Sequence, residues 1–186
     1  MNPEKSLEKS WSNQLIIGLT AYLKKMKGEA TKKDRIDYID SLISATGGLI
    51  AIIIISLVAV NLGYPMALGP LGASCLLVFC AHKGQLSQPR HVFGGHLFST
   101  TIALITWSIL GKSLFTIGLV LAIVLILMIL TKTLHPPAAA SAFVAVNSQA
   151  GWGFLISVVM GTFLLIIISI IYNNLFQTRQ YPQRWL

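Results

Sequence analysis

Residues 42–62 form a run of 21 residues without a charged side chain. At a rise of about 1.5 Å per residue, a helix of that length crosses roughly the 30 Å of bilayer hydrocarbon. Five more apolar stretches follow, at residues 66–81, 92–110, 114–131, 138–146 and 152–175. The second and fifth are short and carry proline at or near their starts, Pro70 in one and Pro136 and Pro137 before the other. Hydrophobic residues make up 54% of the chain and charged ones 11%, a balance outside that of a soluble domain. The pattern predicts an all-α polytopic membrane protein of six transmembrane crossings.

Charge placement narrows the chemistry. All six acidic residues (Glu4, Glu8, Glu29, Asp34, Asp37, Asp40) lie in the first 40 positions, and none follows. The membrane part therefore has no paired carboxylates for acid–base work, no carboxylate relay and no oxygen-rich cation site. With a cytoplasmic N-terminus, 13 of the 14 Lys and Arg fall on one side and Lys112 alone on the other. That distribution obeys the positive-inside rule and puts both termini in the cytoplasm. Because the positives sit between apolar runs, they read as topology signals and not as a nucleic-acid surface.

Residues 1–40 form a polar, mixed-charge segment in which Trp11, Leu15, Leu19, Tyr22 or Leu23 and Met26 recur at helical spacing. This is the pattern of a surface helix lying on the membrane. The membrane domain covers 41–176, and 177–186 form a short cytoplasmic tail. No secretory h-region is present near the start. Cys75 and Cys80 lie about 140° apart on one helix and read as reduced, small hydrophobes.

A shift of 66 residues superposes the stretch from Leu68 on that from Leu134, matching Leu68 with Leu134, Pro70 with Pro136 and Ala73 with Ala139. The same shift carries the first long run onto the fourth and the third onto the sixth. Three crossings separate the copies, so the second is upside down: a 3+3 inverted repeat whose short, proline-opened helices point to a transport site. Proline in a first turn is expected to leave the N–H groups of Leu71 to Ser74 and of Ala138 to Ala140 free for an anion. Gly69, Gly72, Ala139 and their small neighbours allow close approach, and Ser74 and Ser141 add hydroxyls. Close helix packing is the competing use of such small residues.

Arg90, His96, Lys132 and His135 are the candidates for charge and hydrogen-bond donors, with His96 the deepest because it falls inside an apolar run. Gly94 and Gly95 are expected to bring His96 close to the short helices. None of the four histidines forms an i, i+3 or i, i+4 pair, so no metal site is expected. No cofactor motif or activated nucleophile is visible, and an enzyme is not expected.

The stretches "LGPLGAS" from Leu68, "SQPRHVFGGH" from Ser87 and "LHPPAAASAF" from Leu134 resemble the HPP family of integral membrane proteins, named for the His-Pro-Pro seen here at His135, Pro136 and Pro137. The matching motif residues are Gly69, Pro70, Gly72, Ser74, Gln88, Pro89, Arg90, Gly94, Gly95, His96, His135, Pro136 and Pro137. His91 stands where Asn is more usual. The resemblance implies a transporter or channel for a small monovalent anion, with nitrite as the first candidate, in a bacterial inner membrane. A small membrane subunit that packs on a partner, and a lipid- or quinone-binding protein using His96 and His135, are the rival functions. A chain of this size exposes much surface to lipid, so a homo-oligomer is also expected.

Overall fold

The computed structural model describes Ile17, residues 19–26 and residues 36–185. The chain divides into two units, Met1–Ile36 and Asp37–Leu186. In the first, Ile17 and residues 19–26 are helical, and Leu19, Tyr22, Leu23 and Met26 are exposed. Trp11 and Leu15 of the expected surface helix lie outside the described residues.

The second unit consists of α1 (Tyr38–Asn61), α2 (Leu68–Cys80), α3 (Pro89–Leu110), α4 (Leu114–Leu130), α5 (Pro136–Asn147) and α6 (Gly153–Asn173). Helices α1, α3 and α6 are long and apolar enough to cross a membrane. Leu57, Ile109, Leu114, Leu130 and Ile171 stand exposed on the outer surface of the bundle, where lipid would accept them. Helix α2 has 13 residues and α5 has 12, about 20 and 18 Å, so neither spans the hydrocarbon as a helix on its own.

The helix starts follow from local chemistry. Asp37 caps α1 by accepting from the Asp40 N–H, and Ser113 caps α4 by accepting from Thr116. Pro89 and Pro136 take first-turn positions that need no N–H. Helix α2 differs from expectation. A 3₁₀ turn at Pro65–Ala67 leads into it and the helix begins at Leu68, so Pro70 is already in its first turn. The N–H groups of Leu71 to Ser74 therefore bond to carbonyls four residues back and are not free.

Helix α3 packs against α4, α5 and α6; α2 packs against α1, α5 and α6; α1 also meets α6, and α4 also meets α5. Exchanging α1 with α4, α2 with α5 and α3 with α6 leaves this set of pairings unchanged. Helix α3 comes close to the segment before α5 because Gly94 and Gly95 present no side chain there. A Cβ at Gly95 would lie 2.8 Å from the His135 Cβ and 3.0 Å from the Thr133 carbonyl oxygen.

Residues past α6 fold back and close one end of the bundle. The buried Arg179 guanidinium donates through Nε to the Asp40 carboxylate at 2.8 Å and through Nη2 to the Asp40 carbonyl and Ser44 Oγ. Its Nη1 reaches the Phe79 carbonyl and Asn173 Oδ1. One side chain thus ties the start of α1 to the ends of α2 and α6. Tyr181 is fully buried and donates its hydroxyl to the Ser87 carbonyl at 2.8 Å. Gln88 Oε1 accepts from the N–H of Gln183, while its Nε2 donates to the carbonyls of His82 and Gly84.

Removing Arg179 leaves several buried acceptors without a donor. We expect Arg179→Ala to cost about 1–3 kcal/mol, the scale for leaving buried hydrogen-bond partners unsatisfied, read as a lower melting temperature in detergent. Beside it, His82 is buried with no partner for either ring nitrogen. Burial, and then the Arg179 charge, push its pKa down. The unfolded chain therefore binds the proton first, and this contribution to stability is present above the unfolded value and lost as pH falls through it, near about 6.5. Melting temperature should drop between about pH 7 and 5, and His82→Gln should flatten that part of the drop.

Candidate functional site

Two features lie at and below the end of the bundle that the loop before α3 shares with the start of α5. One is an open basin of about 730 Å³ lined by Lys83, Gln85, Gln88, Arg90, His91, Lys132, Gln183, Arg184 and Trp185. Four cations face it and, among the described residues, no carboxylate does. The other is a buried cluster of Ser74, His96, His135 and Ser141, each without solvent exposure.

Among the basin cations, Arg90 is held by backbone. Arg90 Nη2 donates to the Thr131 carbonyl at 3.0 Å, at the C-terminal end of α4 where carbonyls lack helical partners. Lys132 follows in a left-handed conformation, φ +55°. Its N–H bonds to the Ile129 carbonyl and that of Thr133 to Met128, a closing turn that normally takes glycine. At the end of α1 the same turn does use glycine, Gly63. His91 Nδ1 donates to the Leu134 carbonyl at 2.9 Å.

The cluster joins three helices. Ser74 Oγ lies 2.7 Å from His96 Nε2 and 2.9 Å from His135 Nε2, and His96 Nδ1 lies 2.8 Å from Ser141 Oγ. His135 Nδ1 lies 2.8 Å from the Leu86 carbonyl oxygen. That carbonyl can only accept, so His135 Nδ1 carries a proton, and a neutral ring then presents Nε2 as acceptor. Ser74 is the donor within reach. With its one hydrogen spent there, Ser74 accepts from His96 Nε2–H, and His96 Nδ1 accepts from Ser141. With both imidazoles neutral, the hydrogen bonds run from Ser141 through His96 and Ser74 to His135 and Leu86, and the Pro70 carbonyl, 3.1 Å from Ser74 Oγ, is a further acceptor for the Ser74 hydroxyl. Such closure is what makes a polar cluster tolerable without water.

Of the residues singled out from sequence, Ser74, His96, His135 and Ser141 are brought into contact. Arg90 and Lys132 line the basin beside His91. Pro136 is exposed, while Pro137 and Ala139 are half-buried on α5. Gly69 is exposed with open space around it, and Gly72 faces the Ile52 side chain on α1; neither touches the cluster. The start of α5 offers no free N–H. Pro136 and Pro137 have none, Ala138 donates to the His135 carbonyl at 2.9 Å, and the helix takes up those of Ala139 and Ala140. The expected cradle of helix-end amides is not formed.

Lys83 and Arg184, which sequence alone suggests as topology signals, face the basin together with Gln85, Gln183 and Trp185. Only the cationic, carboxylate-free composition of these loops hinted at them. We expect Gly95→Ala to displace His135 and destabilise the fold by about 1–3 kcal/mol, the overpacking range, whereas alanine at the exposed Gly69 should cost little; paired thermal melts in detergent measure the difference.

A transmembrane protein of Dictyostelium discoideum is 30% identical over 88% of this chain, and a second from the same organism is 28% identical over 77%. The chain spans about half the length of these curated relatives, 57% and 54%. No solved structure matches. The model of the HPP transmembrane region matches residues 33–182, a span that contains the basin's Lys83, Arg90 and Lys132 and the whole buried cluster, and the chain belongs to the HPP transmembrane family.

Proposed function

We propose that this protein moves a small monovalent anion across a membrane, with nitrite as the first candidate, and that the basin is its mouth. The observation that carries this is the convergence of Lys83, Arg90, Lys132 and Arg184 on one depression that, among the described residues, no carboxylate opposes. Uncompensated cations raise the local concentration and capture rate of anions, by tenfold or more where a cleft focuses the field. The positive-inside rule supports a cytoplasmic side for this end. Six crossings in a 3+3 inverted repeat fit the pairing pattern of the helices, which survives the exchange of the two halves. With its backbone amides engaged, the start of α5 contributes position and not N–H donors, so the binding charge comes from side chains.

The test is influx of labelled nitrite into liposomes containing only the purified protein. Protein-free vesicles correct for nitrous acid that crosses unaided, and external labelling of Lys112→Cys reports which way the protein has inserted. We expect saturable influx that nitrate or chloride competes for and that rising ionic strength weakens. Influx no greater than in protein-free vesicles overturns the proposal.

Lys132 separates binding from folding. Glycine would relieve its left-handed turn, so Lys132→Gly should gain about 1 kcal/mol of stability while lowering anion influx severalfold. A melting temperature and an influx rate that move in opposite directions are the expected signature, because strain kept at a functional position trades stability for charge.

A further inference from the structure

We propose that a phosphatidylethanolamine molecule seats between α1 and α2, with its headgroup in a polar recess at the start of α1 and an acyl chain in the groove beside it. The recess holds about 560 Å³, and Asp37, Asp40, His82, Lys83 and Thr178 line it. The groove holds about 600 Å³, and its lining includes Ser44, Gly48 and Ile52 of α1 and Gly72, Leu76 and Cys80 of α2. Asp40 and Cys80 line both, so the two adjoin.

The groove has the depth of one leaflet. From Asp40 to Ile52 helix α1 rises about 18 Å, against roughly 15 Å for half the hydrocarbon. Helix α2 runs the other way, with Cys80 beside Asp40 at the polar end and Gly72 facing Ile52 at the deep end, where a Cβ would sit 3.6 Å from Ile52 Cδ1. Gly48 keeps the groove open, since a Cβ there would meet nothing within 4 Å. Leu49 and Leu76, both exposed, present apolar surface along it. Lipid tails surround a membrane helix in any case, so the groove supplies fit and the recess supplies selectivity.

The recess carries both signs of charge. Asp37 Oδ1 accepts from the Asp40 N–H, and Asp40 Oδ1 accepts from Arg179 Nε. Among the described residues, each carboxylate therefore keeps its second oxygen for another donor. A primary ammonium brings three N–H groups to those oxygens, whereas a choline ammonium brings none and a phosphatidylglycerol headgroup brings no cation. Lys83, which also lines the basin, and the Thr178 hydroxyl are donors for the lipid phosphate. His82 points to a ligand independently of these charges. It is 6% exposed, and neither ring nitrogen has a partner among the described residues. Buried ring nitrogens are ordinarily bonded, and a zwitterionic headgroup offers them a donor at one end and an acceptor at the other.

Native mass spectrometry of the delipidated full chain in detergent tests this, with palmitoyl-oleoyl lipids that differ only in headgroup; nitrite influx plays no part in it. We expect one phosphatidylethanolamine to bind about tenfold more tightly than phosphatidylcholine or phosphatidylglycerol, the effect of one hydrogen bond to a charged group. Asp37→Asn keeps the helix cap, because Asn caps as well as Asp, and should erase most of that preference. Gly48→Phe, whose Cβ enters open space, should fill the groove and weaken phosphatidylethanolamine binding severalfold while leaving the melting temperature of the delipidated protein unchanged. Equal binding of the three lipids, or a preference that Asp37→Asn leaves intact, overturns the proposal. Glycerophosphoethanolamine, which has no acyl chains, binding as tightly as the lipid overturns it as well. A wild-type dimer that Gly48→Phe converts to monomer, with no lipid retained by either, assigns the groove to a second copy of the chain and overturns it too.

Discussion

Past Asp40 the sequence has no carboxylate side chain, so the later cations and ring N–H groups that are bonded within the fold turn to other acceptors. The backbone supplies most of them. Arg90 donates to Thr131, His91 to Leu134, His135 to Leu86, Lys112 to Asn147 and Trp107 to Ala150, each time to a carbonyl oxygen. Carbonyls satisfy hydrogen bonds without cancelling charge, so Arg90 and Lys112 are held in place and remain net positive. Arg179 is the exception, and it reaches back to Asp40 to pair. The one neutralised arginine holds the fold together, whereas the unneutralised cations face the basin.

The same economy explains why the basin is wet and the cluster is dry. In the basin, long flexible cations stay in water, where charge is cheap. In the cluster, hydroxyls and imidazoles close a directional chain that needs no counter-ion, and burial strengthens each bond while penalising any that is missing. Gly94 and Gly95 make this possible by letting α3 approach the segment that carries Thr133 and His135. The two halves of the bundle share a packing pattern but not this chemistry. Shifted by 66 residues, Gly95 falls on Gly161, which likewise packs against the first turns of a short helix through Leu71. His96 and His135 fall on Thr162 and Gly69.

The helices were legible because apolar runs and proline or polar punctuation mark them directly. The expected runs at 92–110 and 152–175 correspond to Pro89–Leu110 and Gly153–Asn173. Convergence of Ser74, His96, His135 and Ser141 was legible in part, since the proline-opened stretches and an intramembrane histidine are local signals. The helix-end cradle was misjudged for a physical reason. Proline at a first turn signals unused donors, but at α5 two consecutive prolines remove two of them, and α2 begins at Leu68, early enough to engage the amides of Leu71 to Ser74. What local pattern could not convey was the return of residues 179–185 over the loop before α3. That placement depends on Tyr181 and Gln88 finding partners nearly a hundred positions away.

This return sets an order of assembly. Gln183, Arg184 and Trp185 line the basin, and Arg179 and Tyr181 hold the strap that carries them. Chains emerge from the ribosome N-terminus first, at about 5–20 residues per second. A nascent chain released only as far as residue 175 has all six helices of the bundle but neither the strap nor a finished basin. The bundle can therefore insert and pack while the basin is still incomplete, and the segment made after α6 both seals the end of the bundle and completes the basin's cationic lining. Biogenesis is in this way built into chain order, with the anion-attracting surface appearing only after the helices that must contain it.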